Sequence, residues 1–186
     1  PIPADRTVFS VLMRVHSTVV MTSSVENYRE AFRSAEKNHL YGAGGGEILS
    51  QITQATDNLL VGVLQEKIQE LGMDPEKVGE RICLVALGGY GRKEMHPQSD
   101  IDVMFLFPED PCKEDEQLVS ATLRHLFDAR LQIGNVTRDF DTAWQMARED
   151  LQSLTAMVEG RLIWGNLQNY EAFYTQLTRI LAWNGK

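Results

Sequence analysis

The 186-residue chain predicts an α/β protein, a small mixed sheet with flanking helices at both ends. Three observations carry that reading. One short unbroken apolar run, "ICLVAL", lies near the middle of the chain and suits a strand covered on both faces, and "IDVMFLF", apolar but for Asp102, follows it as a second strand. Longer segments on either side repeat apolar residues at helical spacing. Apolar content of 43% with charged content of 24% belongs to a globular chain able to bury a core.

Taken in order, residues 1–21 are the least readable. Within them "VFSVLM" is short and is soon followed by Arg14 and His16, unlike a signal peptide. A helix begins near Ser23, which stands at capping-box spacing from Glu26. Val25, Tyr28, Phe32 and Ala35 fall on one of its faces. "YGAGGGE" ends it, because four glycines in five positions make a poor helix. That cluster follows a helix and has no lysine after it, so it reads as a flexible hinge and not as a phosphate loop. A second helix carries the stripe Ile48, Ile52, Ala55, Leu59 and Val63, with Gly72 as its stop.

"ICLVAL" is the first strand and ends at Gly88 and Gly89; "YGRKEM" then reads as a helix start. "IDVMFLF" is the second strand and stops at Pro108. "PEDPCKEDE" is a solvated loop leading into an acidic helix start. "EDEQLVSATLRHLFDAR" is an amphipathic helix with acids in its first turn and Arg130 at its end. "LQIGNVTRDF" is a third strand, weakened by Gly134. Two or three helices fill 141–183, with Trp144, Trp164 and Trp183 in helical patterns as core or interface residues. The expected division is a helical segment over 1–72, a core over 73–145 and a helical segment over 146–186. The start at Pro1 and the ending "WNGK" suggest a piece of a longer protein.

Composition narrows the function. A net charge of −8 argues against nucleic acid as a partner, which calls for a basic face. It leaves room for a nucleotide substrate, which needs only a few local cations and a metal. No apolar stretch reaches the roughly 18–20 residues of a membrane span. Cys83 and Cys112 lie far apart, with Cys83 in an apolar run, and suggest neither a disulfide framework nor a zinc site. A cytoplasmic setting follows as the expectation.

The chemistry concentrates in "LGGYGRKEMHPQSDIDVMFL". Asp100 and Asp102 are one residue apart on a strand and so share a face. Two carboxylates that close repel one another, and a cation between them removes the cost. Hard oxygen donors in this arrangement suit Mg²⁺ (or Mn²⁺), which takes one or two carboxylates together with substrate phosphates. Gly88 and Gly89 let a phosphate approach backbone N–H groups, and Arg92 can add a cationic fork. His96, before Pro97, reads as a loop residue leading into the strand.

This run resembles the nucleotidyltransferase signature of the DNA-polymerase-β-like superfamily, a glycine turn followed by Asp-x-Asp on the next strand. More narrowly it resembles the N-terminal domain of the bifunctional uridylyltransferase/uridylyl-removing enzymes. "YGAGGGEILSQITQATDNLL", "IGNVTRDFDTAW" and "DLQSLTAMVEGRLIWGN" are similar to the segments around the signature there, so the likeness runs from about Leu40 to about Leu177. The resemblance implies a polymerase-β-like fold and uridylyl transfer from UTP to a tyrosine of a PII signal protein in nitrogen regulation. It implies metal ligands at Asp100 and Asp102, triphosphate contacts at Gly88 and Gly89, and support from Arg92 and Ser99. Gly89 stands where many superfamily members have serine. Asp139 and Asp141 are candidates for the superfamily's third carboxylate, and either could equally cap the helix before "TAWQMA". The family's uridylyl-removing activity needs a His-Asp dipeptide, and none of His16, His39, His96 and His125 precedes an aspartate. Two other functions stay open: a degenerate nucleotide-binding regulatory module, and a nucleotidyltransferase, such as an adenylyltransferase, acting on another acceptor.

Overall fold

The structure, a computed structural model, describes residues 23–184. The readings of "VFSVLM" and of Arg14 and His16 lie outside them. Helix α1 (Ser24–Leu40) opens on the expected capping box. Ser23 Oγ accepts from the Glu26 N–H at 3.2 Å, and the Glu26 carboxylate accepts from the Ser23 N–H at 3.2 Å. In α2 (Gly45–Glu70) the predicted stripe is buried throughout, and Gly72 ends the helical course with φ +66°. Gly45 and Gly46 already belong to its first turn, so only residues 41–44 form the link to α1.

A short helix α3 (Pro75–Arg81) follows, which the sequence reading did not contain. Seven residues are too few for a periodic signal. Its marks are an Asp74 carboxylate accepting from the Glu76 N–H at 3.0 Å and a proline in the first helical position. Then come β1 (Cys83–Ala86), the single turn α4 (Gly88–Gly91), β2 (Ile101–Phe107) and α5 (Lys113–Asp128). Last are β3 (Ile133–Asp139), α6 (Phe140–Glu149), α7 (Leu151–Val158), β4 (Arg161–Gly165) and α8 (Leu167–Asn184).

The sheet is four-stranded in the order β3-β2-β1-β4. β2 and β3 are parallel, while β1 is antiparallel to both β2 and β4. The mixed sheet is therefore as expected, with one addition. β4 corrects the reading of 141–183 as wholly helical, and Trp164 lies on this strand and not in a helix. "RLIWG" is too short for strand and helix to be told apart by periodicity. Gly165, at φ +110°, approaches the Ile82 carbonyl so closely that a Cβ would overlap it. Arg130 also differs from expectation. It lies past the end of α5 in the left-handed region at φ 61°, where its N–H donates to the Phe127 carbonyl at 2.8 Å.

Each sheet face carries its own core. Ile101, Val103, Phe105 and Phe107 belong to the core shared with α1, α2 and α5. Cys83, Val85, Met104 and Leu106 belong to the core shared with α6, α7 and α8. Burying Phe105 and Phe107 contributes on the order of 1.5–3 kcal/mol each. Trp144 packs with Phe140 and Phe173, whereas Trp183 is 80% exposed and lies outside the core. Cys83 is a buried free thiol, as expected, and burial pushes its pKa up to about 11.

Candidate active site

The β1–β2 pairing brings the two halves of the glycine–aspartate motif together. The ladder extends one residue beyond β1, where the Leu87 N–H donates to the Asp102 carbonyl at 3.0 Å. Gly88 follows at once, in the left-handed region at φ +53°, and a Cβ there would lie 4.0 Å from Asp102 Oδ2. The glycine turn and the aspartates thus share one end of the sheet.

The helix expected from "YGRKEM" is not present. Gly88 and Gly89 themselves form the helical turn, and the chain leaves it at Arg92. The Glu94 N–H donates back to the Gly89 carbonyl at 2.8 Å, and Lys93 takes φ 63°. That six-to-one closure, typical of helix C-termini, stops the turn after Gly91. The backbone amides at its start come from the glycines, which is where an anion can approach most closely.

Asp102 lies opposite Gly134 in the parallel β2–β3 register. A Cβ on Gly134 would overlap Asp102 Oδ1, so the bare backbone of β3 makes room for this carboxylate. Asp102 is open to solvent on its outer side. Its pKa is nevertheless raised, first by partial burial and then by the neighbouring charge of Asp100. A pair that resists joint ionisation is the donor set that a hard divalent cation relieves, with substrate phosphates completing its shell. Among the described residues, no group of three or more His, Cys, Asp and Glu side chains forms a closed metal cluster.

The remaining named residues are not all gathered here. Asp139 pairs with Phe107 in the register, five residues along the strands from the Asp102–Gly134 pair. Its carboxylate caps α6, accepting from the Thr142 N–H at 2.9 Å and Oγ1 at 2.6 Å. Asp141 is exposed on α6. Arg92 stays beside the glycine turn, but its guanidinium donates to Glu94 and Glu159. Ser99 lies in the connection to β2, its N–H donating to the His96 carbonyl at 3.1 Å. It borders a cavity on the α1 side with Arg33 and Arg130, away from the face of Asp102.

Several residues bearing on the site went unseen in the sequence. The Tyr90 hydroxyl donates to Asp57 Oδ1 at 2.6 Å, and Arg161 grips the same carboxylate through Nη1 at 2.9 Å and Nη2 at 3.0 Å. The Arg161 guanidinium also lies 5.6 Å from the Tyr90 ring centre. This network ties α4 to α2 and β4. Gly91 lets α4 approach the Glu159 carbonyl, which a Cβ would overlap. The one local signal was Tyr90, inside the motif; Asp57 and Arg161 are 104 residues apart.

Beneath the Asp102 end, on the same sheet face, a cavity of about 380 Å³ runs between the sheet and α6–α7. Leu87, Met104 and Val136 are among its lining residues, and Arg138, Met146 and Ser153 line it further along.

Comparison with known proteins shows the family of the chain. Residues 22–152 match the family described as "Putative nucleotidyltransferase DUF294". A bifunctional uridylyltransferase/uridylyl-removing enzyme of Novosphingobium aromaticivorans is 44% identical over 94 residues, which is 50% of this chain and 10% of the relative. That of Rhodospirillum rubrum is 42% identical over 108 residues, 58% of this chain and 11% of the relative. That of Haemophilus influenzae is 29% identical over 168 residues, 90% of this chain and 19% of the relative. The chain thus spans a small part of the length of these relatives. Among solved structures, the tri-AMPylated Shewanella oneidensis HEPN toxin in complex with MNT antitoxin aligns at TM-score 0.40 and 15% identity, over 70% of this chain and 87% of that one. A toxin-antitoxin structure with AMP-PNP aligns at TM-score 0.38 and 17% identity, over 64% of this chain and 85% of that one. With the motif, the sheet and the family match over most of its length, the chain belongs to the DUF294 family of nucleotidyltransferases.

Proposed function

We propose that this chain carries out uridylyl transfer from UTP to a tyrosine of a PII-type signal protein, in the cytoplasm, as part of nitrogen regulation. The observation that carries the proposal is the meeting of the glycine turn and the Asp100–Asp102 pair, fixed by the Leu87–Asp102 backbone bond. The names of the relatives support the choice of nucleotide and acceptor.

In this reading Asp100 and Asp102 hold Mg²⁺ or Mn²⁺. When bound, such ions stabilise charge on the attacking and leaving oxygens. Gly88 and Gly89 give the triphosphate access to backbone N–H groups. Ser99 orders the connection that leads to Asp100. Arg92 steadies the turn from outside through Glu94 and Glu159, and offers its cation to the triphosphate if those carboxylates yield it. The acceptor oxygen bonds to the α-phosphorus as the bond to pyrophosphate breaks, and the phenolic proton leaves to solvent or a base.

Four labelled nucleoside triphosphates, each incubated with the cognate PII protein and the full-length parent of this chain, test the assignment. Label from UTP on a tyrosine, lost in the Asp100→Asn/Asp102→Asn parent, is the expected result. Label from ATP, or on a small molecule, overturns the uridylyl assignment and leaves nucleotidyl transfer standing.

A further inference from the structure

The cavity beneath Asp102 contains a cation that the fold does not neutralise. Gly134, Val136 and Arg138 alternate onto the sheet face of Asp102. Arg138 is half-buried and lines the cavity. Its Nε donates to Met146 Sδ at 3.2 Å, and its Nη1 donates to the Thr137 carbonyl at 2.8 Å. It forms no ion pair with any carboxylate among the described residues. Asp150 lines the same cavity, but its oxygens accept from the Ser153 N–H at 2.7 Å and from Ser153 Oγ and the Gln152 N–H, capping α7. An arginine in an apolar recess, held by a thioether and one carbonyl, retains donors for a ligand.

Distance and shape indicate which ligand. Arg138 follows Gly134, the residue opposite Asp102, by four strand positions, or roughly 13 Å. A nucleotide held by its phosphates at the Asp102 end and laid along this face would bring its base toward Arg138, whose long side chain can adjust the remaining distance. Between them Leu87, Met104 and Val136 offer apolar surfaces for a flat ring.

We infer that this cavity takes the base of the nucleotide and that Arg138 selects UTP over CTP by donating to the carbonyl at position 4 of uracil. The inference rests on the reading of Asp100 and Asp102 as the metal-nucleotide site. Cytosine has an amino group at that position, and arginine, which only donates, meets it with a donor facing a donor. A site built to hydrogen-bond one partner rejects the analogue that cannot do so far better than a purely apolar pocket does.

Calorimetric titration of this chain with Mg²⁺-UTP, Mg²⁺-CTP, Mg²⁺-ATP and Mg²⁺-GTP tests the inference without an acceptor. Wild type should prefer UTP to CTP by tenfold or more. Arg138→Ala and Arg138→Gln, each checked for an unchanged unfolding midpoint, should bring the two within about twofold, chiefly by weakening UTP. Equal loss for both pyrimidines assigns Arg138 to packing alone and overturns the inference, as does an unchanged preference. If Arg138 instead donated to the position 2 carbonyl, which both bases carry, wild type would not separate them, with the same consequence. The underlying reading fails by a different result, equal Mg²⁺-UTP affinity in wild type and Asp102→Asn.

Discussion

Gly134 and Asp102 form a matched pair across two parallel strands. One has no side chain so that the other can lean over it. Gly134→Ala should therefore push the Asp102 carboxylate aside. Mg²⁺-UTP affinity should fall at least tenfold by calorimetry, while stability in urea changes by no more than about 1 kcal/mol. Unchanged affinity would detach this glycine from the site. Asp102 also carries a pH signature. Its raised pKa means that the native state holds the proton more tightly than the unfolded chain does. Its contribution to stability is thus most favourable below the ordinary carboxylate pKa and declines as pH rises through the raised value. In metal-free buffer, the urea midpoint of wild type relative to that of Asp102→Asn should decline as pH rises from about 3 to 7, whatever slope the other carboxylates give both proteins. Asp115 behaves oppositely. Burial raises its pKa, but the bond from Arg81 at 2.8 Å and those from Cys112 outweigh that effect and hold it below the ordinary value. Its stabilising contribution is present above the unfolded carboxylate pKa and is lost as pH falls through the depressed one.

At the scale of elements, the glycine turn is one helical turn held from behind. Asp57 on α2 accepts from Tyr90 on α4 and from Arg161 on β4. Burial, chiefly, and the adjacent Asp57 charge raise the Tyr90 pKa and keep its hydroxyl a donor. Tyr90→Phe removes one bond and should cost about 1 kcal/mol in urea unfolding. Asp57→Ala strands a half-buried guanidinium whose Nε already lacks a partner among the described residues, and should cost about 3 kcal/mol. Equal losses in the two variants would contradict the clamp. Much of this level was legible in the sequence, and the exceptions have physical reasons. β1 is an unbroken apolar run, β2 is one interrupted only by Asp102, and the Ser23–Glu26 box is a local signal, so all three could be read. α3 and β4 are shorter than the windows in which periodicity operates, and "YGRKEM" hid a helix end set by a left-handed Lys93. The glycine turn and Asp-x-Asp were legible as a motif. The clamp was not, since burial alone brings Asp57 and Arg161 together.

At the scale of the molecule, two cores lie on opposite faces of one sheet, and the glycine turn and the Asp100–Asp102 pair sit together at one end of it. The chain has a net charge of −8, yet that end is where we propose that an anionic nucleotide binds. A cation held between Asp100 and Asp102 would resolve this tension and make nucleotide affinity conditional on metal. The direct test is UTP affinity of this chain by calorimetry with Mg²⁺ and with excess chelator, in wild type and in Asp102→Asn. Binding to wild type should weaken at least tenfold when Mg²⁺ is removed, and binding to Asp102→Asn should be weak and indifferent to metal. Equal affinity and equal metal dependence in the two proteins would contradict it.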